Sequence, residues 1–212
     1  MRFDKDPDVD RQESMILQAE LRDHLAPKSV AILGCGGLGS NCAAMLVRTG
    51  VLHLTLVDFD TVEAENLNRQ EYFLDQVGLP KVEALAATLW RIDEAVDVRT
   101  IDGCIDADGL LSMVVGADVI VEAVDAAETK AMIMQVCTRE LPDTPLVAAS
   151  GLAGYASANQ IETIHLADKV WVAGDLVSDV RDGHALVASR VMTTAAHQAN
   201  AVIRILLGLD IV

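Results

Sequence analysis

The sequence predicts an α/β fold: a doubly wound, mostly parallel sheet of the Rossmann-like kind, with a small antiparallel extension and a closing C-terminal helix. Three observations predict it. Short apolar runs alternate with segments of helical periodicity along most of the chain. A glycine-rich stretch, Gly34-Cys35-Gly36-Gly37-Leu38-Gly39, follows the apolar run Val30 to Leu33. About twenty residues later an acid, Asp58, ends the next apolar run, His53 to Val57. Strand, glycine loop, helix, strand and acid in this order suit an adenine nucleotide. The glycines let backbone N–H groups approach a polyphosphate at a helix N-terminus, and the acid accepts hydrogen bonds from a ribose. The pattern does not choose the chemistry, because hydride-transfer enzymes and unrelated nucleotide users share it.

Residues 10 to 25 carry Met15, Ile16, Ala19, Leu21 and Leu25 at near-helical spacing, and Pro27 ends the run. Residues 1–27 therefore read as an N-terminal helix and residues 28–212 as the nucleotide-binding domain. Strand 29–33, helix 38–49 closed by Gly50, and strand 52–57 form a right-handed crossover. A polar loop, Asp58 to Gln70, follows. Lys81 to Arg91 is helical by pattern, Val96 to Ile101 a strand, Ala107 to Val115 a helix, and Asp118 to Val121 a buried strand. Ala126 to Glu140 reads as a helix and Leu146 to Ala149 as a strand opening onto Gly151-Leu152-Ala153-Gly154. Gln160 to Leu166 and Val170 to Ala173 pair as the antiparallel extension, and Val187 to Leu207 closes the fold as a long helix.

Composition narrows the function classes. With 32 acidic against 16 basic side chains and no basic patch, the chain repels nucleic acid. No apolar run approaches the roughly 20 residues needed to span a bilayer, and the charged start MRFDKDPDVDRQE is unlike a secretory signal. These features predict a cytoplasmic protein with no membrane partner. The four cysteines, Cys35, Cys42, Cys104 and Cys137, form no CxxC pair, so no zinc is expected.

At the end of the second strand Asn66-Leu67-Asn68-Arg69-Gln70 bunch together, and Lys81 opens the next helix. Hydride transfer has no use for them, whereas a guanidinium, an ammonium and amides offset charge in a displacement at phosphorus. Taken singly, Arg69 and Lys81 are ordinary surface cations. Asp125, just past the fourth strand, reads either as an N-cap for the following helix or as a carboxylate facing Mg²⁺. Cys35 reads as a small side chain fitting close backbone packing rather than as a thiol activated by a helix N-terminus. Met113, Met132, Met134 and Met192 read as core filler.

GCGGLGSN at 34–41, LVDFDTVEAENLNRQ at 56–70, GLPKVEAL at 78–85 and EAVDAAETK at 122–130 resemble the signature blocks of the ThiF/MoeB/HesA group of ATP-dependent adenylyltransferases, relatives of ubiquitin-activating enzymes. AASGLAGY at 148–155, GDLVS at 174–178 and AAHQAN at 195–200 are similar to a short ThiF subgroup of thiamine thiazole biosynthesis. The resemblance implies adenylation of the C-terminal glycine of a ubiquitin-like sulfur carrier ending in Gly-Gly, with ATP and Mg²⁺ as ligands. It places Gly34, Gly36, Gly37 and Gly39 in the phosphate loop and Asp58 and Asp60 on the nucleotide. Asn66, Arg69 and Lys81 fall around the phosphates, Asp125 on the metal, and Gln70 one layer behind. It also implies a homodimer in which an N-terminal arginine, here Arg11, reaches the partner's site. The chain departs from long family members in lacking paired CxxC motifs and any cysteine after Cys137. Adenylation without a covalent thiol relay is therefore expected. Two other readings compete: an NAD(P)-dependent oxidoreductase, and a catalytically silent scaffold subunit of an activating pair.

Overall fold

The computed structural model describes residues 18–179 and 183–211. The elements run α1 (Gln18–Leu25), β1 (Ser29–Leu33), α2 (Gly37–Thr49), β2 (His53–Asp58), α3 (Lys81–Ile92), β3 (Asp97–Asp102), α4 (Leu110–Met113), β4 (Val119–Glu122), α5 (Ala127–Glu140), β5 (Leu146–Ala149), β6 (Glu162–Ala167), β7 (Val170–Gly174) and α6 (Ala188–Leu206). Short 3₁₀ turns at Ala64–Asn68, Leu74–Gln76 and Ala158–Gln160 fill the longer connections.

The strands form one sheet in the order β3-β2-β1-β4-β5-β7-β6. Every neighbouring pair is parallel except β6 with β7. β1 sits centrally, with Val30 opposite Leu54 on one side and Val119 on the other. β4 and β5 are buried along their whole length, which is why Val119 to Val121 and Leu146 to Ala149 read as unbroken apolar runs rather than alternating ones. The two sheet faces divide these side chains. Val30, Ile32, Leu56 and Val121 pack with Leu46, Leu85 and Ala199 of α2, α3 and α6. Ala31, Leu33, Val57 and Ile120 pack with Leu110 and Ile133 of α4 and α5. From β1 the chain winds outward to β2 and β3, then returns across the sheet to β4. The order therefore reverses where β1 meets β4, and the crevice outside their carboxyl ends is where ligands of open α/β sheets bind.

Several boundaries differ from those read from the sequence. The helix expected over 107–115 shrinks to one turn, Leu110–Met113. Asp106 Oδ1 accepts from Gly109 N at 2.7 Å, and Gly116 turns the chain at φ +80°, so local turn chemistry takes both ends. The expected Gln160–Leu166 strand begins at Glu162, because Ser157 starts a 3₁₀ turn first. Of the helix expected over 10–25, α1 accounts for Gln18–Leu25; Arg11, Met15 and Ile16 lie outside the described residues. Leu25 is fully buried, and Arg22 meets Asp93 at 2.6 Å. Met113, Met132 and Met134 pack partly buried against the α4/α5 face, as expected. Met192 does not: it is 39% exposed, since Val191, Ala195, Ala199 and Val202 take the inward stripe of α6. No described helix is long and apolar enough to cross a membrane.

Candidate active site

The glycine loop lies at this crevice, and its glycines answer to different neighbours. Gly34 has φ +95°, and a Cβ there would stand 2.7 Å from the Ala123 carbonyl oxygen just past β4. At Gly39 a Cβ would fall 1.8 Å from the Gly34 carbonyl oxygen. At Gly37 it would meet Val191 Cγ1 at 2.8 Å, so the N-terminal turns of α2 and α6 abut. Gly36 differs, because its nearest neighbour would be Gln70 Nε2 at 3.9 Å. No side chain caps α2 at its N-terminus, and its first turn holds no acid. The leading N–H groups of the helix thus lack intrahelical partners and face the crevice with the positive end of the helix dipole.

Asp58 holds this loop from β2. Its Oδ2 accepts from Cys35 N at 2.6 Å and its Oδ1 from Asp60 N at 2.8 Å, leaving further lone pairs on both oxygens. Tyr72 closes the other side, donating to the Cys35 carbonyl at 2.7 Å and lying 3.3 Å from the Lys81 carbonyl. Burial pushes the phenol's pKa up, so it stays a donor. Burial, then the Asp58 charge, also pushes the Cys35 thiol well above its ordinary value. A thiol so placed is inert, in keeping with the packing reading.

The segment after β2 is sewn to α2 by two side chains. Ser40 Oγ donates to the Gly36 carbonyl at 2.6 Å and accepts from Glu71 N at 3.0 Å. Asn41 Nδ2 donates to the carbonyls of Gly37 at 2.7 Å and Arg69 at 2.9 Å. Arg69 is thereby brought over the loop, its Cγ 3.7 Å from the Cβ position of Gly37. Its guanidinium donates to Asn68 Oδ1 at 2.9 Å and the Glu65 carbonyl at 3.3 Å. Asn66 is buried and accepts from Glu63 N at 3.1 Å, fixing the 3₁₀ turn. Lys81, 6% exposed, places Nζ 2.6 Å from Asp60 Oδ2. Gln70 is buried beside Gly36 with its Oε1 unpartnered.

Across the crevice, Asp125 is exposed just beyond β4. It does not cap α5: the N-cap is Ala126, and no side chain caps that helix. Among the described residues its carboxylate makes no hydrogen bond or ion pair. No group of three or more His, Cys, Asp or Glu able to hold a metal occurs among the described residues, so a metal here would rely on one carboxylate and on ligand oxygens. Beneath it, Lys130 Nζ reaches both oxygens of buried Glu122 at 2.8 and 3.0 Å and the Ala149 carbonyl at 3.1 Å. Burial raises the Glu122 pKa, and the Lys130 charge opposes that shift.

The fold thus brings Gly34, Gly36, Gly37, Gly39, Asp58, Asp60, Asn66, Arg69, Lys81 and Asp125 to one sheet edge. Arg69 and Lys81 do not share a partner there, since each is engaged by its own neighbours. Sequence reasoning assigned no role to Ser40, Asn41, Tyr72, Glu122 and Lys130. Ser40 and Asn41 follow directly on the glycine motif, and Glu122 and Lys130 open and close the block EAVDAAETK; those placements were the signal available.

The model described as the ThiF family matches residues 9–211. The chain is 34% identical over 147 residues to tRNA threonylcarbamoyladenosine dehydratase of Escherichia coli (strain K12), covering 68% of this chain and 54% of that protein. It is 38% identical over 129 residues to mouse adenylyltransferase and sulfurtransferase MOCS3, covering 60% and 28%. Against Haemophilus influenzae molybdopterin-synthase adenylyltransferase it is 30% identical over 132 residues, covering 62% and 54%. The chain therefore spans about half the length of these relatives, or less. The crystal structure of the E. coli dehydratase TcdA with ATP superposes with a TM-score of 0.81 at 23% identity, over 95% of this chain and 93% of that one. E. coli MccB with ATP gives 0.69 at 25% identity, over 88% and 58%. A family match running almost from end to end, on a sheet wound the same way as these structures, leaves one placement: the chain belongs to the ThiF family.

Proposed function

We propose that this protein adenylates the C-terminal glycine of a small ubiquitin-like sulfur carrier ending in Gly-Gly, using ATP and releasing pyrophosphate. One observation carries the reading: a glycine-rich, uncapped helix N-terminus shares a sheet edge with Asp58, Arg69, Lys81 and an unpartnered Asp125. The relatives named as adenylyltransferases support it. In the reaction a carboxylate oxygen of the carrier attacks the α-phosphorus, the bond from that phosphorus to the bridging oxygen breaks, and pyrophosphate leaves with the electron pair. Both reactants are anions, so the site must offset their repulsion before they meet.

The N–H groups of the α2 first turn hold the polyphosphate, Arg69 and Lys81 offset the charge that grows on the leaving group, and Asp58 takes the ribose. Lys81 then shares Asp60 with the nucleotide or exchanges one for the other. Gln70 Oε1, buried without a donor, accepts from a group that arrives with the ligand. Asp125 would be the residue that holds Mg²⁺, which would supply further charge neutralisation there. The protein acts in the cytoplasm as a homodimer, and its carrier feeds thiazole formation in thiamine synthesis. The subgroup blocks at 148–155, 174–178 and 195–200 support that pathway.

The E. coli relative and the TcdA structures favour a second reading, ATP-dependent activation of a modified tRNA. The net charge of −16 opposes it, because a phosphate backbone would meet twice as many acids as bases. Carrier-dependent exchange of labelled pyrophosphate into ATP decides. The parent protein is expected to exchange label only with a Gly-Gly carrier present, and Asp125→Ala and Arg69→Ala to lose at least ~10²-fold. Absence of exchange in the parent, or exchange driven by tRNA, refutes the proposal.

A further inference from the structure

Two ion pairs among the described residues are built on a side chain only 2% exposed, Arg190 with Asp175 and Lys130 with Glu122. The first fastens the start of α6 to the segment just past β7 and to the carbonyls of Ala156 and Ser157. The second closes around Asp125. β4 runs Val119-Ile120-Val121 and then sets a carboxylate in the core, although a buried ion pair gains little net stability over apolar side chains of similar size. What distinguishes this pair is where its hydrogen bonds end. Glu122 Oε1 accepts from Val124 N at 2.9 Å, and Lys130 N, in the first turn of α5, donates to the Ala126 carbonyl at 3.0 Å. The residues on either side of Asp125 are therefore each tied to one member of the pair, and Lys130 Nζ joins the members at 2.8 and 3.0 Å.

The third ammonium proton goes to the Ala149 carbonyl at the end of β5, at 3.1 Å, so Lys130 keeps no donor for a phosphate. Its charge serves Glu122 instead. Further contacts fix the closed ring against the rest of the edge. Ala123 N donates to the Leu33 carbonyl at 2.8 Å, and a Cβ at Gly34 would stand 3.0 Å from Val124 N, so the ring lies directly on the glycine loop. From α6, Gln198 Nε2 donates to the Glu122 carbonyl at 2.9 Å. The Asp125 carboxylate itself has no protein partner among the described residues, and its place beside the glycine loop is set by this backbone alone. A lone carboxylate binds a cation that keeps most of its waters best when it needs no rearrangement to do so.

We propose that Glu122 and Lys130 are positioning residues whose ion pair holds the backbone from Ala123 to Ala126 so that the Asp125 carboxylate meets a divalent cation on the nucleotide phosphates. The inference rests on the adenylation reading and adds the device that aims its metal-facing carboxylate. ATP affinity is measured by calorimetry in EDTA and in saturating Mg²⁺, and the ratio of the two dissociation constants gives the gain due to the metal. The proteins compared are the parent, Lys130→Met, the paired variant Glu122→Met/Lys130→Met, Asp125→Ala, and the paired variant carrying Asp125→Ala as well. The parent is expected to bind ATP at least ~10-fold tighter with Mg²⁺. Lys130→Met and the paired variant are expected to fall to within about twofold of the gain left in Asp125→Ala, while their affinity in EDTA stays within about twofold of the parent. Adding Asp125→Ala to the paired variant should change nothing further, because the pair acts through Asp125. A paired variant that keeps the parent's gain, loses affinity in EDTA as well, or adds its loss to that of Asp125→Ala would overturn the inference. If Lys130→Met does not fold because Glu122 is left buried alone, the paired variant decides, since its apolar side chains leave no uncompensated charge. A parent indifferent to Mg²⁺ overturns the inference together with the metal role of Asp125. A parent that gains from Mg²⁺ yet exchanges no pyrophosphate with a carrier present refutes the adenylation reading, an outcome read separately from all of these.

Discussion

Two glycines three positions apart, Gly36 and Gly39, should respond to alanine in opposite ways. Gly39→Ala puts a methyl group 1.8 Å from the Gly34 carbonyl oxygen, backbone against backbone with no side chain to yield. Helix α2 and the end of β1 must part by about 1 Å, in an interior packed to crystalline density. Overpacking of this kind costs about 3 kcal/mol or more, which for a chain of this size lowers Tm by roughly 6–12 °C. Gly36→Ala meets nothing nearer than 3.9 Å; its φ of −77° is ordinary, but its ψ of −148° lies outside the main β region. The substitution should cost about 1 kcal/mol, well short of Gly39→Ala. In the proposed function, the added methyl group nevertheless stands where the polyphosphate would touch the helix N-terminus. Loss of one charge-assisted hydrogen bond there, about 1.5–3 kcal/mol, weakens ATP binding roughly 10- to 100-fold. Thermal melts and calorimetric ATP titrations of both variants separate the two effects. The reasoning fails if Gly36→Ala melts as low as Gly39→Ala, or binds ATP as the parent does.

Three further outcomes follow from the same geometry. Tyr72→Phe removes the donor to the Cys35 carbonyl and should cost about 1–3 kcal/mol in denaturant unfolding, with a measurable fall in ATP affinity. Of the four thiols only Cys104 is exposed, so a thiol reagent should titrate one group quickly in the native protein and none in Cys104→Ser. Asp175 has its pKa lowered in the folded state, so the unfolded chain binds more protons between the two values. Its stabilisation is full at neutral pH, begins to fade below about pH 5, and is lost as pH falls through the lowered value. Asp175→Asn should flatten that limb of the acid-unfolding curve.

The alternation of strands and helices was legible because parallel strands buried on both faces are mostly apolar, as Val119 to Val121 and Leu146 to Ala149 show. The antiparallel extension was legible from its two β-rich runs. The 107–115 segment was not, since its apolar spacing hid an Asp106 turn that takes the start of the helix. The site was legible where residues sit within one motif. Asp58 at a strand end and the glycines of the loop needed only local order. The engagement of Lys81 by Asp60 and of Arg69 by Asn68 was not visible, nor was the stitching by Ser40 and Asn41. Apart from the adjacent Asn68 and Arg69, those contacts join residues 21 to 31 apart in sequence, and only the closed fold brings them together. The cap reading of Asp125 failed because the chain enters α5 one residue later, at Ala126.

A crystal structure with ATP and Mg²⁺ tests the central claim most directly. The account predicts the polyphosphate on the N–H groups of Gly36 to Gly39, Arg69 and Lys81 turned onto it, and Asp125 facing the metal. Positive side chains pointing away from the bound anion, or a nucleotide seated elsewhere on the sheet, would contradict it.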